Sequence, residues 1–265
     1  MHGKAAVLAP PLAALGIEIV VPEGLDTDAF GTFTGERART GTMLDAARAK
    51  ARAAIAATGL PVGLASEGAY GAHPVVPFLA QGRELLLWLD MRSGQEIIEI
   101  LIDDTPCYEQ VEVTVFCAAE AFLARIGFPA TAVIVAPAAD RTRPTAKGIQ
   151  NHDHLRRCIA SATAEGPAVL QTDMRAHLNP RRMATIAGLA QRFAARLAQA
   201  CSACGAPGWG FLRPGPRLPC SWCEGPSILP SGEIHGCPAC GAHRLVPRSD
   251  GKTEADPGEC PLCNP

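Results

Sequence analysis

Apolar residues recur along the first 200 residues in two patterns. Short apolar runs bounded by Gly, Pro or Asp predict strands at 17–21, 61–66, 84–90, 96–102, 131–137 and 168–172. Helical spacing predicts helices from about residue 4, at 43–58, 111–126 and 152–164, and after residue 179. Since the predicted hairpin 84–102 adds antiparallel pairing to this alternation, we predict an α/β domain with a mixed central sheet and flanking helices.

Two of these helices carry N-terminal capping signals. Thr42 is a suitable N-cap with Asp45 three residues on, and Gly59 is a suitable end for the same helix. Asn179 is a suitable N-cap for the last helix, with Pro180 in its first turn. The apolar face of this last helix is formed by Met183, Ile186, Leu189, Ala190, Phe193 and Leu197.

The sequence pattern is unusual at the start and changes near residue 200. The first helix has no strand before it, so we expect the α/β domain, residues 1–199, to lack its first strand through a misassigned start codon or a truncation. After residue 200, Gly, Pro and Cys dominate and the periodicity ends. We therefore predict a second domain at 200–265.

Cysteine spacing in the second domain indicates metal sites. Eight of the eleven cysteines form four CxxC pairs, which are Cys201/Cys204, Cys220/Cys223, Cys237/Cys240 and Cys260/Cys263. In a reducing compartment such pairs bind metal, and zinc takes four thiolates in a tetrahedron. We predict a double zinc ribbon with two structural zinc ions. Intervals of fifteen and nineteen residues favour sequential pairing of the CxxC motifs, while nested or crossed pairing remains open.

Charge limits the partners of this protein. The net charge is -2 with a pI near 6.4, and residues 201–265 hold five Lys/Arg against six Asp/Glu. This balance argues against a grip on nucleic-acid phosphates and favours a structural or protein-contact role for the zinc ribbons. Trp209 and Trp222 could stack on a base, or simply pack between the zinc loops. No apolar stretch reaches the length of a membrane span, so we predict a cytoplasmic protein.

Polar segments at predicted strand ends or loops are candidate ligand sites. Lys4 precedes the first helix, where an ammonium group can meet a phosphate, and Glu67 follows a buried strand, where a carboxylate can hold a metal or activate water. The alternatives are a solvated N-terminus and a solvated strand end. A loop rich in hydroxyls and carboxylates could hold hydrated magnesium or a ligand, or be a surface turn, through Asp26, Asp28, Thr32 and Thr34.

The stretch TDMRAHLNPRRM, residues 172–183, concentrates ionisable groups before the last helix. Asp173 and His177 are candidate catalytic residues with Glu67, and Arg175 and Arg181 are candidate phosphate ligands. The alternative is that Asp173 pairs with one of these arginines and that His177 lies at the surface. We interpret the remaining arginines as the solvated face of the helix, namely Arg182, Arg192 and Arg196.

The segments GTMLDAARAKARAAIAATGLPVGLASEGAYG and ELLLWLDMRSGQEIIEI resemble the inosine/xanthosine triphosphate pyrophosphatase superfamily, over roughly residues 2–105. The resemblance implies that Lys4 contacts phosphate and that Glu67 supports magnesium and water. The family's opening-loop Asn and its later Ser-His-Arg motif have no counterpart here. The whole chain, with its cysteine tail, looks closer to an uncharacterised bacterial family of unknown function.

These observations give three hypotheses. The first is a magnesium-dependent hydrolase of a nucleoside triphosphate or related phosphorylated small molecule, with a structural zinc tail. The second is a non-enzymatic module that binds a nucleotide or, through the zinc tail, a protein. The third, which the charge count disfavours, is a nucleic-acid-associated zinc-ribbon protein.

Overall fold

A computed structural model describes residues 3–25 and 41–265 and divides the chain into two compact units. The first comprises Met1–Gly94 and Ile98–Ala194, and the second comprises Gln95–Ile97 and Ala195–Pro265. The α-helices are α1 Ala5–Ala13, α2 Met43–Thr58, α3 Glu120–Ile126, α4 His152–Ala162 and α5 Pro180–Leu197. The first strands are β1 Val62–Ala72, β2 Ala80–Asp90, β3 Gln95–Asp103, β4 Gln110–Val113, β5 Val133–Pro137, β6 Ala146–Ile149 and β7 Ala168–Thr172.

The first sheet of unit one has the strand order β1-β2-β3. β1 runs antiparallel to β2, and the register sets Gly68 opposite Glu84. Side chains from alternate positions of both strands pack against α2, in a core that contains Ala47, Ala51, Ala65, Leu85, Leu87 and Leu89. The small alanines of α2 let the helix lie close to the sheet, which fixes β1 in position.

The second sheet has the order β4-β7-β5-β6, and all three strand pairs are antiparallel. It shares a core with α3 and α4 that includes Phe122, Leu123, Val135, Leu155, Ile159 and Leu170. β7 leads into the polar stretch 172–183, and α5 follows.

The structure confirms a mixture of helices and strands but corrects the predicted single mixed sheet. The described strands of unit one form two sheets, and each has its own hydrophobic core. The predicted strand at 17–21 lies outside any sheet, and the predicted helix at 111–126 splits into β4, a 3-10 turn and α3. The alternating sequence QVEVTV explains the strand, because a period of two suits a half-buried strand.

Both predicted helix caps are present. The Thr42 hydroxyl accepts from the backbone N–H of Asp45 at 3.2 Å, and the Asp45 carboxylate accepts from the backbone N–H of Thr42 at 3.0 Å. Gly59 ends α2 in the left-handed conformation. Asn179 caps α5, since its side-chain oxygen accepts from the Arg182 backbone N–H at 3.1 Å.

The second unit is built from short strands and cysteine turns. Its strands are β8 Gly210–Pro214, β9 Arg217–Pro219, β10 Pro226–Pro230, β11 Gly232–Gly236 and β12 His243–Pro247. β11 lies between β8 and β12 in one sheet, and β9 pairs with β10 in another. Among the described residues of the whole chain, no helix has the length and apolar character needed to cross a membrane.

Candidate functional site

A buried ion pair joins the first sheet to α5 in unit one. Glu84 is fully buried and Arg182 is 2 % exposed. Arg182 Nε donates to Glu84 Oε1 at 2.6 Å, and the Tyr70 hydroxyl donates to the same oxygen at 2.6 Å. Arg182 also donates to the Met174 carbonyl oxygen. Two buried charges that satisfy each other in this way avoid the large cost of an unpaired buried ion.

Gly68 explains how the arginine reaches the sheet. A Cβ at this position would lie 2.6 Å from an Arg182 guanidinium nitrogen and 2.7 Å from Glu84 Oε1. Any larger residue would therefore displace the ion pair. Gly82 has a similar role on β2, where a Cβ would lie 2.5 Å from the Tyr70 ring. The two glycines make room for the polar groups that cover this part of the sheet.

Lys4 lies at the edge of β1 and is 7 % exposed. Its Nζ donates to Ser66 Oγ at 3.0 Å and approaches the Ser66 carbonyl oxygen at 3.4 Å. Burial, followed by the neighbouring Arg182 charge, lowers the pKa of Lys4 from 10.5 to about 8. Lys4 is also coupled electrostatically to Glu84 and Glu67, so it belongs to the same charge network.

Lys50 on α2 forms a salt bridge with Glu67 on β1, and the Glu67 side chain is 4 % exposed. Successive side chains of a strand point to opposite faces, so Glu67 faces α2 while Glu84, opposite Gly68, lies on the other face. We call Lys4, Lys50, Glu67, Glu84 and Arg182 the buried ionic cluster. It holds three cations and two carboxylates, and therefore carries one excess positive charge while Lys4 is protonated.

A slot of about 300 Å³ opens beside Lys4 and Lys50. Its walls come from α1, α2, the start of β1 and the segment that follows α1. Most of its lining is apolar, and Trp88 contributes an aromatic ring. The structure therefore places an apolar slot next to the cationic end of the buried ionic cluster.

The stretch 172–183 is arranged partly as an internal charge pair. Asp173 is fully buried and accepts from Arg175 at 2.6 Å and from the Gly148 backbone N–H at 3.1 Å. Arg181 is exposed and donates to the Thr105 carbonyl oxygen at 3.1 Å. His177 is exposed, and a Cβ added to Gly3 would lie 3.4 Å from the Cβ of His177. The alternative interpretation of Asp173 as an ion-pair partner of Arg175 thus has structural support.

Some predicted ligand positions lie outside the described residues, namely Asp26, Asp28, Thr32 and Thr34. The prediction of a solvated face is wrong for Arg182 and Arg196, which are both buried. A signal for this was present, because Arg182 precedes Ile186 by four residues and Leu189 by seven, on the apolar stripe of α5. A charge on such a stripe needs a buried partner.

The second unit assembles its eight paired cysteines into two groups. One group contains Cys201, Cys204, Cys237 and Cys240, and the other contains Cys220, Cys223, Cys260 and Cys263. The first CxxC pair therefore joins the third and the second joins the fourth, which is the crossed arrangement. The sequential pairing favoured by the spacings is wrong.

The geometry of both groups fits a tetrahedral metal ion. Sulfur–sulfur distances are 3.8 and 3.6 Å in the first group and 3.9 and 3.6 Å in the second. A zinc ion with Zn–S bonds of about 2.3 Å sets its sulfurs about 3.8 Å apart. Backbone N–H groups of Ala203, Trp222 and Ala239 each point at a cysteine sulfur at 3.4 Å. Two metal ions, each held by four thiolates, are consistent with a double zinc ribbon.

These features define a protein with an α/β unit that carries a buried ionic cluster, followed by a unit with two four-cysteine groups. Residues 50–265 match the model of a family described as a domain of unknown function (DUF6671). The chain belongs to this family. No curated protein and no solved structure matches the chain. The matched region contains Lys50, Glu67, Glu84, Arg182 and all eight paired cysteines, while Lys4 precedes it.

Proposed function

We propose that the first unit is a magnesium-dependent hydrolase of a nucleoside triphosphate or a related phosphorylated small molecule. The observation that carries this proposal is the excess positive charge of the buried ionic cluster. A buried lysine with only neutral hydrogen-bond acceptors is costly to keep charged, and a bound phosphate would supply the missing negative charge. Lys4 is thus the first phosphate ligand that we assign.

The remaining roles belong to the same proposal. Glu67 supports magnesium and the attacking water, while Arg182 stays with Glu84 and adds positive potential near Lys4. Magnesium, when bound, neutralises phosphate charge and positions water for attack without a covalent intermediate. Arg181, which is exposed, and Arg175, which is partly exposed, are further phosphate ligands, and Asp173 and His177 remain candidate catalytic groups. A fold like that of inosine triphosphate pyrophosphatases is part of this proposal.

Zinc is the metal that we propose for the second unit. Four thiolates in a tetrahedron suit zinc, and the ions would hold the crossed cysteine pairs together as a structural element. We assign the unit a protein-contact role, since its charge is near balance and Trp222 is 79 % exposed on a cysteine turn.

A second candidate function is ligand binding without turnover. It is favoured by one contact, the salt bridge between Lys50 and Glu67. A carboxylate already paired with a lysine is a weaker metal ligand than a free one. On this alternative, the cluster holds an anion and performs no chemistry.

Release of phosphate and pyrophosphate from standard and deaminated nucleoside triphosphates, with and without magnesium, tests the proposal. We expect magnesium-dependent turnover that falls by about 100-fold or more in Glu67→Gln and is retained in Glu112→Gln, an exposed control on β4. Submillimolar binding with no turnover would favour the second candidate. Absence of both binding and turnover would refute both.

A further inference from the structure

The outer edge of β1 faces the slot. β1 is an edge strand of its sheet in the described part of the chain. The Pro61 carbonyl oxygen accepts from the Met91 N–H at 2.9 Å, so residues 61, 63 and 65 direct their backbone groups toward β2. Val62, Leu64 and Ser66 must then direct theirs outward. The approach of Lys4 to the Ser66 carbonyl oxygen from the slot side agrees with this register.

The lining of the slot includes two runs of consecutive residues. Five consecutive residues of β1, 62–66, line one wall, and four consecutive residues, 17–20, also line the slot. A wall made of consecutive strand residues is a backbone edge, because side chains alternate between faces. Residues 62–66 span about 13 Å at the usual rise of a strand.

Two rows of helix side chains line the slot and make its two ends chemically different. α2 contributes Lys50, Ala54 and Thr58, four residues apart, and the row from α1 comprises Lys4, Leu8 and Leu12. Each row is about 12 Å long at the rise of an α-helix. Both rows begin with a lysine, and Lys4 contacts Ser66 while Lys50 contacts the adjacent Glu67. The slot is therefore cationic near Ser66 and, apart from the exposed Glu18 near Leu12, mostly apolar toward the start of β1.

An extended peptide matches both the outward backbone groups of β1 and the difference in charge between the two ends of the slot. An alkyl or aromatic ligand would cover the outward N–H and C=O groups of Val62 and Leu64 without forming hydrogen bonds to them, which is costly once water is excluded. An added strand satisfies these groups, and its side chains fill the apolar slot. Within the described part of the chain, Lys4 hydrogen-bonds to Ser66 alone, so a carboxylate on the peptide has a cation to meet.

We infer that the slot binds an extended peptide segment of about five residues as an added strand on β1, with apolar side chains and a carboxylate beside Lys4. The inference goes beyond the proposed hydrolase and does not depend on it. The two share Lys4, so a bound peptide carboxylate competes with phosphate for this ammonium group. Peptide binding measured without nucleotide or magnesium therefore reports on this inference separately.

The test uses capped hexapeptides of alanine and valine with an aspartate at either end. Backbone amide hydrogen exchange of residues 62–66 reports binding. The fluorescence of Trp88 reports it independently, measured in a Trp209→Phe, Trp222→Phe variant in which Trp88 is the remaining tryptophan. We expect slower exchange at Leu64 and Ser66 and little change at Gly63 and Ala65, which already face β2. N-methylation of the peptide amides that face β1 should abolish binding, and methylation of the other amides should not.

Matched variants test the charge and the slot. We expect the aspartate peptide to bind about fivefold or more tightly than its asparagine counterpart. Lys4→Met should remove that preference without abolishing binding of the asparagine peptide. Ala54→Phe, which fills the slot from α2, should abolish binding of every peptide while circular dichroism shows that the fold is kept.

Three results would overturn the inference. Equal binding of both N-methylated peptides would show an apolar groove without strand pairing. Octanoate that protects the slot as well as the peptides do would identify a small-molecule site. No protection by any peptide at millimolar concentration would exclude strand addition at this edge.

Discussion

Arg182 and Glu84 are the residues whose environment departs most from their sequence context. Both are charged, both are buried, and each is the main partner of the other. The apolar stripe of α5 gives a sequence signal for Arg182. Nothing in the run ELLLWLD distinguishes Glu84 as the partner, because the pairing depends on how α5 lies against the first sheet.

Loss of one partner should be more harmful than loss of both. Arg182→Met should lower the free energy of unfolding by about 3–5 kcal/mol, because it leaves Glu84 buried without a counter-ion. The double variant Arg182→Met, Glu84→Gln should recover part of that loss. Denaturant unfolding measures both values.

The control is Arg192→Met, which removes a partly exposed pair with Glu99. It should cost less than about 1 kcal/mol. Equal effects of the two arginine substitutions would contradict the assignment of Arg182 to the buried ionic cluster.

Lys4 should give the fold a characteristic pH dependence. Its pKa is lowered to about 8 in the folded protein by burial and then by Arg182, against an ordinary value of 10.5. Between these two pH values the unfolded chain binds more protons, so stability rises with pH in this window and is flat with respect to Lys4 outside it.

We expect the stability of the wild type relative to Lys4→Met to increase between about pH 8 and about pH 10.5, by an amount on the order of 2–3 kcal/mol. Thermal or denaturant unfolding of both proteins at matched pH measures the difference, and the subtraction cancels other titrating groups. A difference that falls or stays constant across this window would show that folding does not lower the pKa of Lys4.

At the scale of elements, the sequence predicts features set by neighbouring residues but not the arrangement of the two sheets. The capping box at Thr42 and Asp45, the end of α2 at Gly59 and the hairpin of β2 and β3 all match the prediction. These features depend on neighbouring residues in the chain. The division into two sheets depends on which helix covers which strands, and no local pattern specifies that.

The two N-caps should differ in their energetic importance. Asn179 is fully buried, and its side-chain amide also donates to the Cys107 carbonyl oxygen at 3.2 Å. Asn179→Ala should therefore cost about 2–4 kcal/mol, from the lost cap and an unsatisfied buried carbonyl. Thr42→Ala, at an exposed cap, should cost about 1 kcal/mol. Equal costs in denaturant unfolding would show that the buried bonds of Asn179 add nothing.

At the scale of the whole molecule, the cysteine spacings predicted two four-sulfur groups but gave the wrong partners. Spacing restricts which CxxC pairs can close a loop of ordinary length, but the path of β8 to β12 decides which pairs meet. The crossed arrangement interleaves the two groups along the chain, so each four-cysteine group closes a loop that contains a cysteine pair of the other group.

Paired substitutions distinguish the crossed arrangement from the sequential one. Cys204→Ser with Cys240→Ser disrupts one group in the crossed arrangement and both in the sequential one. Cys204→Ser with Cys223→Ser does the reverse. We expect native mass spectrometry to show two zinc ions in the wild type, one in the first double variant and none in the second. No zinc ion in the first double variant and one in the second would support the sequential arrangement instead.

We propose that the buried ionic cluster of the first unit receives a polyphosphate at Lys4. Nitrogen-15 NMR of the Lys4 ammonium group, identified by its absence in Lys4→Met, tests this most directly through a pH titration with and without pyrophosphate. We predict a pKa of about 8 in the free protein and a clear rise at saturating pyrophosphate, because a nearby anion favours the charged form. A pKa that pyrophosphate leaves unchanged would contradict the claim.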